Sequence, residues 1–431
     1  MKKAFFLLSV MMMVLGTTVF AQNNQNNDEP HYDAMGRTLN TITTGVPFLQ
    51  ISPDSRGGAL ADMGAATSTD VNSQAYNPAK YVFSDNIFGI SISYSPWLHN
   101  LHLDDGINLA YLAGYYKPTE MDAIGFSLRY FNLGSIMFTE DGIVGVDFNP
   151  NEFAIDFTYN RKLIDELSIA MTPRFIYSNL TLGQYVGGQE TKPGLAGAAD
   201  ISLFYQQDFR AKGLANSTLR AGLNISNLGS KIRYSSGTTR REFLPANLRL
   251  GLGYEMAFDE YNKLAITGEV NKLLVPTQPI YAQDENGNDI IDEYGNPVIA
   301  YGYNPDVSVP QGLIQSFYDA PGSACHRYDK YGIYSPFGEE MAEIAWALGA
   351  EYSYRNLFFL RAGYFHESKY KGNRQFMTLG VGFKYNIFNI DVSYLFTTNG
   401  QNNPLANTLR FTLSFDFASF NKSEIKNQGK L

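Results

Sequence analysis

Phe153-Ala154-Ile155-Asp156-Phe157-Thr158-Tyr159-Asn160 puts four large apolar side chains on one face of an extended chain and Ala, Asp, Thr and Asn on the other, because successive residues of a strand point to opposite faces. The same period of two recurs in Ile124, Phe126, Leu128 and Tyr130 against Gly125, Ser127 and Arg129. It recurs again in Leu219, Ala221, Leu223 and Ile225 against Arg220, Gly222 and Asn224. Toward the C-terminus, Leu248 to Tyr254 and Met377 to Phe383 alternate in the same way, and the last run is Leu409, Phe411, Leu413, Phe415 and Phe417. The pattern predicts about fourteen strands, near 87–97, 108–118, 122–132, 152–160, 166–178, 195–207, 217–227, 245–256, 262–271, 341–354, 357–366, 374–385, 388–397 and 406–418. Each is close to the ~10 residues that a tilted strand needs to cross a bilayer.

A soluble sandwich also alternates, but its outer face carries many Lys and Glu. Here only 17% of residues are charged, beside 29 Tyr, 30 Phe and 39 Gly. The polar faces instead hold Gly, Ser, Thr and Asn with single charges of both signs, among them Arg129, Asp156, Arg174, Asp200, Arg220, Arg249, Glu269, Glu351, Arg361, Lys384 and Asp391. That composition suits a wet lumen crossed by ion pairs. Beyond Ala21 no stretch approaches the ~20 apolar residues of a spanning helix, whereas a closed barrel pairs all its backbone groups between strands. The expected fold is therefore all-β, a transmembrane antiparallel barrel. Connection lengths agree: short links at 118–121, 161–165, 257–261, 355–356 and 386–387 alternate with long ones at 132–151, 179–194, 228–242 and 272–340. Outer-membrane barrels keep short turns periplasmic and long loops outside, so both termini are expected on the periplasmic side. Tyr159, Tyr254, Tyr354 and Tyr385, at strand ends, are expected at the membrane interface.

Lys2 and Lys3 followed by the apolar run Ala4 to Val14, with Val19 and Ala21 as small residues before the cleavage point, read as a signal peptide over 1–21. Residues 22–85 then form an N-terminal periplasmic or plug segment, 86–418 the barrel with its long extracellular loop at 272–340, and 419–431 a periplasmic tail. Removing Lys2 and Lys3 takes the formal charge from −9 to −11, which argues against nucleic acid as a partner. Cys325 is the single cysteine, so no internal disulfide and no Cys-based zinc site can form.

Ahead of the first strand lies Ser52-Pro53-Asp54-Ser55-Arg56-Gly57-Gly58-Ala59-Leu60-Ala61-Asp62-Met63-Gly64-Ala65-Ala66. It continues as Thr67-Ser68-Thr69-Asp70-Val71-Asn72-Ser73-Gln74-Ala75-Tyr76-Asn77-Pro78-Ala79-Lys80-Tyr81. Rich in Gly and Ala, this block can pack where bulky residues would not fit, as a plug in a barrel must. Arg56, Gly57, Gly58, Asp62, Gly64, Asp70, Asn72, Asn77 and Pro78 are its expected structural residues. Asp62, Asp70, Asn72 and Asn77 would satisfy turn backbone groups, and Arg56 would pair with a lumen carboxylate; a direct partner-binding role for the block is the alternative. With the fourteen-strand pattern, the block closely resembles the PorV family, also called LptO, of the type IX secretion system, over the mature chain. Asn77-Pro78-Ala79 alone is shared with the wider FadL-like transporter group. The resemblance implies an outer-membrane component that receives secreted cargo through its C-terminal domain and passes it to a surface attachment complex. Its implied partners are the large translocon barrel, the sortase-like PorU and outer-membrane lipids. The competing readings are a FadL-like transporter of hydrophobic small molecules, whose signature is an apolar lumen pocket, and an open porin, which needs an unplugged channel.

The long segment from Lys272 to Glu340 is the expected site of cargo contact, because loops held by a rigid scaffold carry recognition. It has six prolines from Pro276 to Pro321, and Tyr281, Tyr294, Tyr301 and Tyr303 offer rigid aromatic contacts. Within it, Asp284, Asn286 and Asn288 copy the start of an EF-hand loop, but Asp289 stands where the turn needs glycine and Gly295 where a closing glutamate belongs. Asn286-Gly287 reads better as a hairpin turn. No cofactor or metal is expected. There is no Gly-x-Ser-x-Gly elbow, and His31, His99, His102, His326 and His366 form no HExxH helix, so the lipopolysaccharide deacylation suggested by the LptO name is disfavoured.

Overall fold

The computed structural model describes residues 40–96, 106–137, 147–180, 185–186, 189–234, 241–284, 288–322, 335–368, 370–398 and 408–418. The signal peptide, the expected mature start, His31, His99, His102, Cys325, His326, the Asn286-Gly287 turn and the tail lie outside them.

Fourteen antiparallel strands close into one barrel, each bonded to its neighbour in sequence and the last to the first. They are β1 (Asn86–Pro96), β2 (Asn108–Tyr116), β3 (Asp122–Asn132), β4 (Asn151–Ile164), β5 (Leu167–Asn179), β6 (Gly194–Phe209) and β7 (Asn216–Gly229). The second half comprises β8 (Asn247–Ala257), β9 (Asn262–Leu273), β10 (Ala345–Tyr354), β11 (Phe358–His366), β12 (Gln375–Tyr385), β13 (Phe388–Thr397) and β14 (Leu409–Ala418). Closure pairs Ile90 with Phe415 and Ile92 with Leu413, so no edge is left exposed.

Burial is inverted relative to a soluble protein. Phe157 is 62% exposed and Leu252 65%, whereas Asp156, on the opposite face of β4, is 4% exposed. The outward residues form the band that lipid would cover, and the polar ones point into the lumen. There Arg174 bridges Asp156 and Asp200 at 2.6 and 2.9 Å, and Arg361 bridges Glu351 and Asp391. Tyr354 and Tyr385 are exposed as the last residues of β10 and β12, on the short-turn rim, whereas Tyr159 is exposed within β4, which runs on to Ile164. The turn between β10 and β11 places Arg355 and Asn356 at φ of 56° and 52°, the left-handed pair of a tight hairpin that matches strand twist.

Two boundaries depart from expectation. The strand expected at 341–354 begins only at Ala345, because Pro336–Ala342 is helical; Ser335 caps that helix by accepting the Gly338 amide at 2.9 Å. β4 runs on to Ile164, leaving Asp165 and Glu166 as the turn where a longer link was expected. The segment between β9 and β10 is also more structured than a plain loop. It holds a small hairpin, Ile280–Tyr281 with Ile299–Tyr301, and the helices α2 (Val309–Gln315) and α3 (Pro336–Ala342).

Candidate functional site

Residues 40–85 fill the lumen. The chain is first seen at the long-link rim, where the Asn40 amide donates to Glu339 Oε1 at 2.9 Å and to the Gln278 carbonyl at 3.3 Å. Val46, Phe48 and Leu49 pack with Leu109, Phe131, Ile176, Ile232 and Leu244, residues at the long-link ends of their strands or within the 230–246 link. Arg129 donates to the Leu49 carbonyl at 2.6 Å. At the other end, Val71, Tyr81 and Val82 pack with Tyr115 and Ala123, and Lys117 donates to the Ser84 carbonyl at 2.8 Å; these lie by the short turn between β2 and β3. The described segment thus runs the height of the lumen and joins β1 at the short-turn rim. Residues 22–85 were expected as a periplasmic or plug segment; within the described part, Asn40 to Gln50 occupy the long-link rim. Their apolar side chains have partners only there.

The short helix α1 (Ser55–Ala59) and the turn after it explain the glycines of the block. Tyr76 lies against both: a Cβ on Gly57 would come 2.0 Å from its hydroxyl oxygen, and one on Gly64 2.3 Å from its ring. Ala61 and Asp62 have φ of 56° and 61°, a double left-handed turn, and Thr378 ties it down by accepting the Ala61 amide at 3.0 Å and donating to the Ala59 carbonyl at 2.8 Å. From Ala59 to Ala66 the backbone touches the wall where the strands carry lumen-facing glycine. A Cβ on Gly222 of β7 would sit 1.9 Å from the Ala65 carbonyl oxygen. On β9, between glycine-bearing strands, Glu269 accepts the Gly64 and Ala65 amides at 3.0 and 2.9 Å and is held by Arg249 at 3.0 Å.

Arg56 meets its expected lumen carboxylate, Glu351, and also pairs with Asp70 at 2.8 Å. Asp70 and Ser73 form a capping box. Asn77 accepts the Ala79 amide and donates to the Ala65 and Leu203 carbonyls at 3.0 and 2.9 Å, while Pro78 opens a 3-10 turn. Asp62 instead pairs with Arg410 at 3.2 Å, whose guanidinium occupies the space above Gly58. Asn72 is buried, and its Oδ1 has no hydrogen-bond partner among the described residues. Sequence reasoning missed Asp54, which accepts the Gly57 amide at 3.0 Å and the Tyr76 hydroxyl at 2.7 Å. It also missed Lys80, which donates to the Gly64 carbonyl at 2.8 Å. Asp54 three residues before Gly57 is a helix N-cap signal that was readable.

On the long segment, Tyr294 is 80% exposed, Tyr301 and Tyr303 are exposed, and Tyr281 is half-buried. Tyr303 stacks edge-on against Tyr318, so these tyrosines do not form one cluster. The hairpin carries an unforeseen eight-residue repeat, Asp284-Glu285-Asn286-Gly287-Asn288 and Asp292-Glu293-Tyr294-Gly295-Asn296. Each Asp accepts the amide of the Asn four residues on, at 2.9 and 2.8 Å. The Asp284 carboxylate thus holds the backbone at Asn288.

The profile of the type IX secretion system protein PorV matches residues 34–280, more than half of the chain. No curated protein matches. Among solved structures, the chain is similar to a mutant of the TodX monoaromatic hydrocarbon channel, at 12% identity and a TM-score of 0.47, covering 85% of this chain and 99% of that one. It is also similar to a FadL homologue of Pseudomonas aeruginosa, at 12% identity and a TM-score of 0.40 over 88% and 100%, and to the toluene transporter TodX of Pseudomonas putida, at 12% and 0.42 over 88% and 98%. At these values the likeness is one of shape and brings no ligand with it. The profile match, on a barrel with a lipid-facing apolar wall, means that the chain belongs to the family of the type IX secretion system protein PorV and is a barrel of the outer membrane.

Proposed function

We propose that this protein binds the C-terminal domain of secreted cargo and carries it from the translocon barrel to the surface attachment complex, where a sortase-like PorU acts. The observation that carries this reading is the pairing of a lumen filled from rim to rim by residues 40–85 with a structured long segment at the outer rim that presents Tyr294, Tyr301 and Tyr303. A filled lumen suits a carrier that works on its outer surface better than a conduit. The block from Ser52 to Tyr81 acts as the plug, with Arg56, Gly57, Gly58, Asp62, Gly64, Asp70, Asn72, Asn77 and Pro78 as its structural residues. Their contacts to strands and to each other support that role over direct partner binding. The role is non-catalytic, and purified protein that deacylated lipid A through one named serine would reverse this.

The transporter reading needs an apolar pocket in the lumen. The apolar depression of about 610 Å³ is lined by outward-facing Leu203, Leu223, Leu250, Leu252, Val270 and Trp346, on the wall outside. The decisive experiment is a pulldown of tagged protein from native outer membranes. Recovery of a large barrel, a sortase-like protein and proteins sharing a C-terminal domain supports the carrier; recovery of lipid or fatty acid alone supports the transporter.

A further inference from the structure

At the long-link rim, three buried glutamates converge on two buried lysines, with a fourth buried carboxylate, Asp319, beside them. Lys272, at the end of β9, pairs with Glu340 at 3.1 Å and Glu343 at 2.6 Å. Lys371, in the link between β11 and β12, pairs with Glu339 at 2.5 Å and Glu343 at 3.0 Å. Asp319 follows α2, and its Oδ2 accepts the Thr277 amide at 3.1 Å and the Gln315 side chain at 3.3 Å. The Thr277 hydroxyl donates to Glu343 at 2.6 Å, and the Ala320 amide to Glu340 at 2.9 Å. Asn40 completes the cluster through Glu339. The cluster therefore ties α2, α3, the link after β11 and the N-terminal segment to the barrel at one point.

Charge does not balance there. Asp319, Glu339, Glu340 and Glu343 face Lys272 and Lys371 alone among the described residues, so two carboxylates are in excess when all are ionised. The lysines contact the three glutamates. Asp319 is 0% exposed, has no lysine partner, and its Oδ1 has no hydrogen-bond partner among the described residues. A buried charge without a counter-ion is costly, and the group takes up a proton instead.

We infer that this cluster is a proton-dependent latch, which holds α2, α3 and the Asn40 end of the lumen segment to the end of β9 while Asp319 is protonated and loosens them when Asp319 ionises. Burial, then Glu343 and Glu340, push the Asp319 carboxyl up from 3.8 to about 7. Because the closed form binds this proton more tightly than the open form, closure is strongest below about pH 4 on this account and weakens as pH rises to about 7, beyond which it changes no further. Glu343 moves the other way, held below its usual value against the desolvation of burial by Lys371 and Lys272. It stays ionised at pH 5 and above, so within this cluster the shift that falls between pH 5 and 7.5 is that of Asp319.

The test is hydrogen exchange of the full-length protein in nanodiscs at pH 5 and pH 7.5, corrected for intrinsic exchange, reading peptides from 309–322 and 335–343. The expected result is a loss of protection with rising pH, at most about tenfold per pH unit, with the barrel strands unchanged. Asp319→Asn should hold the pH 5 level at both values. Glu340→Gln, which removes one excess charge but keeps an acceptor for Ala320, should move the transition to lower pH. Equal protection of the wild type at both pH values, the same fall in Asp319→Asn, or an unmoved transition in Glu340→Gln would overturn the latch.

Discussion

Arg56 grips the Glu351 carboxylate with two parallel bonds, Nε to Oε2 and Nη2 to Oε1, both at 2.9 Å. This fork joins the lumen segment to the barrel wall across 295 residues of sequence. Both side chains are largely buried, at 10% and 12% exposure. Removing one partner of a buried pair costs about 3–5 kcal/mol when the other is left uncompensated; Glu351 keeps Arg361 at 2.6 Å, so the cost here is expected at the low end of that range. Arg56→Met should therefore lower the urea midpoint of the folded-barrel gel shift and expose the 40–85 segment to protease. Arg56→Met with Glu351→Gln should recover part of the loss, a non-additivity expected of direct contact.

Glycine on the inner wall should be far less replaceable than glycine on the outer wall. A Cβ on Gly222 meets a backbone carbonyl at 1.9 Å, whereas one on Gly268 has its nearest neighbour, the Ala347 carbonyl oxygen, at 3.8 Å. Gly222→Ala should destabilise by at least the ~1–3 kcal/mol of an overpacked core, while Gly268→Ala should be close to neutral. Urea unfolding of the two variants side by side decides this.

The direction of the lumen segment is open to labelling. Thr43 is exposed at the long-link rim, and Glu120, with a side chain 90% exposed, lies in the short turn after β2. In a Cys325→Ser background, Thr43→Cys should react with a membrane-impermeant maleimide on intact cells. Glu120→Cys should react only after the outer membrane is permeabilised.

Deleting Ala282 to Val298 joins Tyr281 to Ile299, which are already cross-strand partners. Barrel assembly should survive, because the backbone bonds of the described residues in this stretch stay within the hairpin, as between Ala282 and Val298 at 2.8 Å. If the cargo reading is right, the variant should assemble and pull down less cargo; unchanged capture would count against a role for this hairpin.

The strands were legible because a membrane barrel imposes period two on every strand and reverses which face is apolar. Phe153 to Asn160 shows both, and the lumen charges it led to, such as Asp156, Arg174 and Asp200, do pair. The alternation of short and long links was equally plain. The ends of β4 and β10 were less so, since Ile164 and Met341 are apolar in either state and only the neighbouring strand or helix settles them.

The sequence by itself determined the barrel, its strand count, its two rims and a small-residue block suited to a confined space. Only the tertiary structure decided that Asn40 lies at the long-link rim, that Tyr76 is the body against which Gly57 and Gly64 close, and that Glu269 receives the amides of Gly64 and Ala65. It alone brought Asp319 beside Glu340 and Glu343. Strand periodicity is a local property, written every second residue. The lumen contacts join residues up to 357 positions apart, as between Ser55 and Thr412, and their partners are fixed only when the barrel closes around the segment.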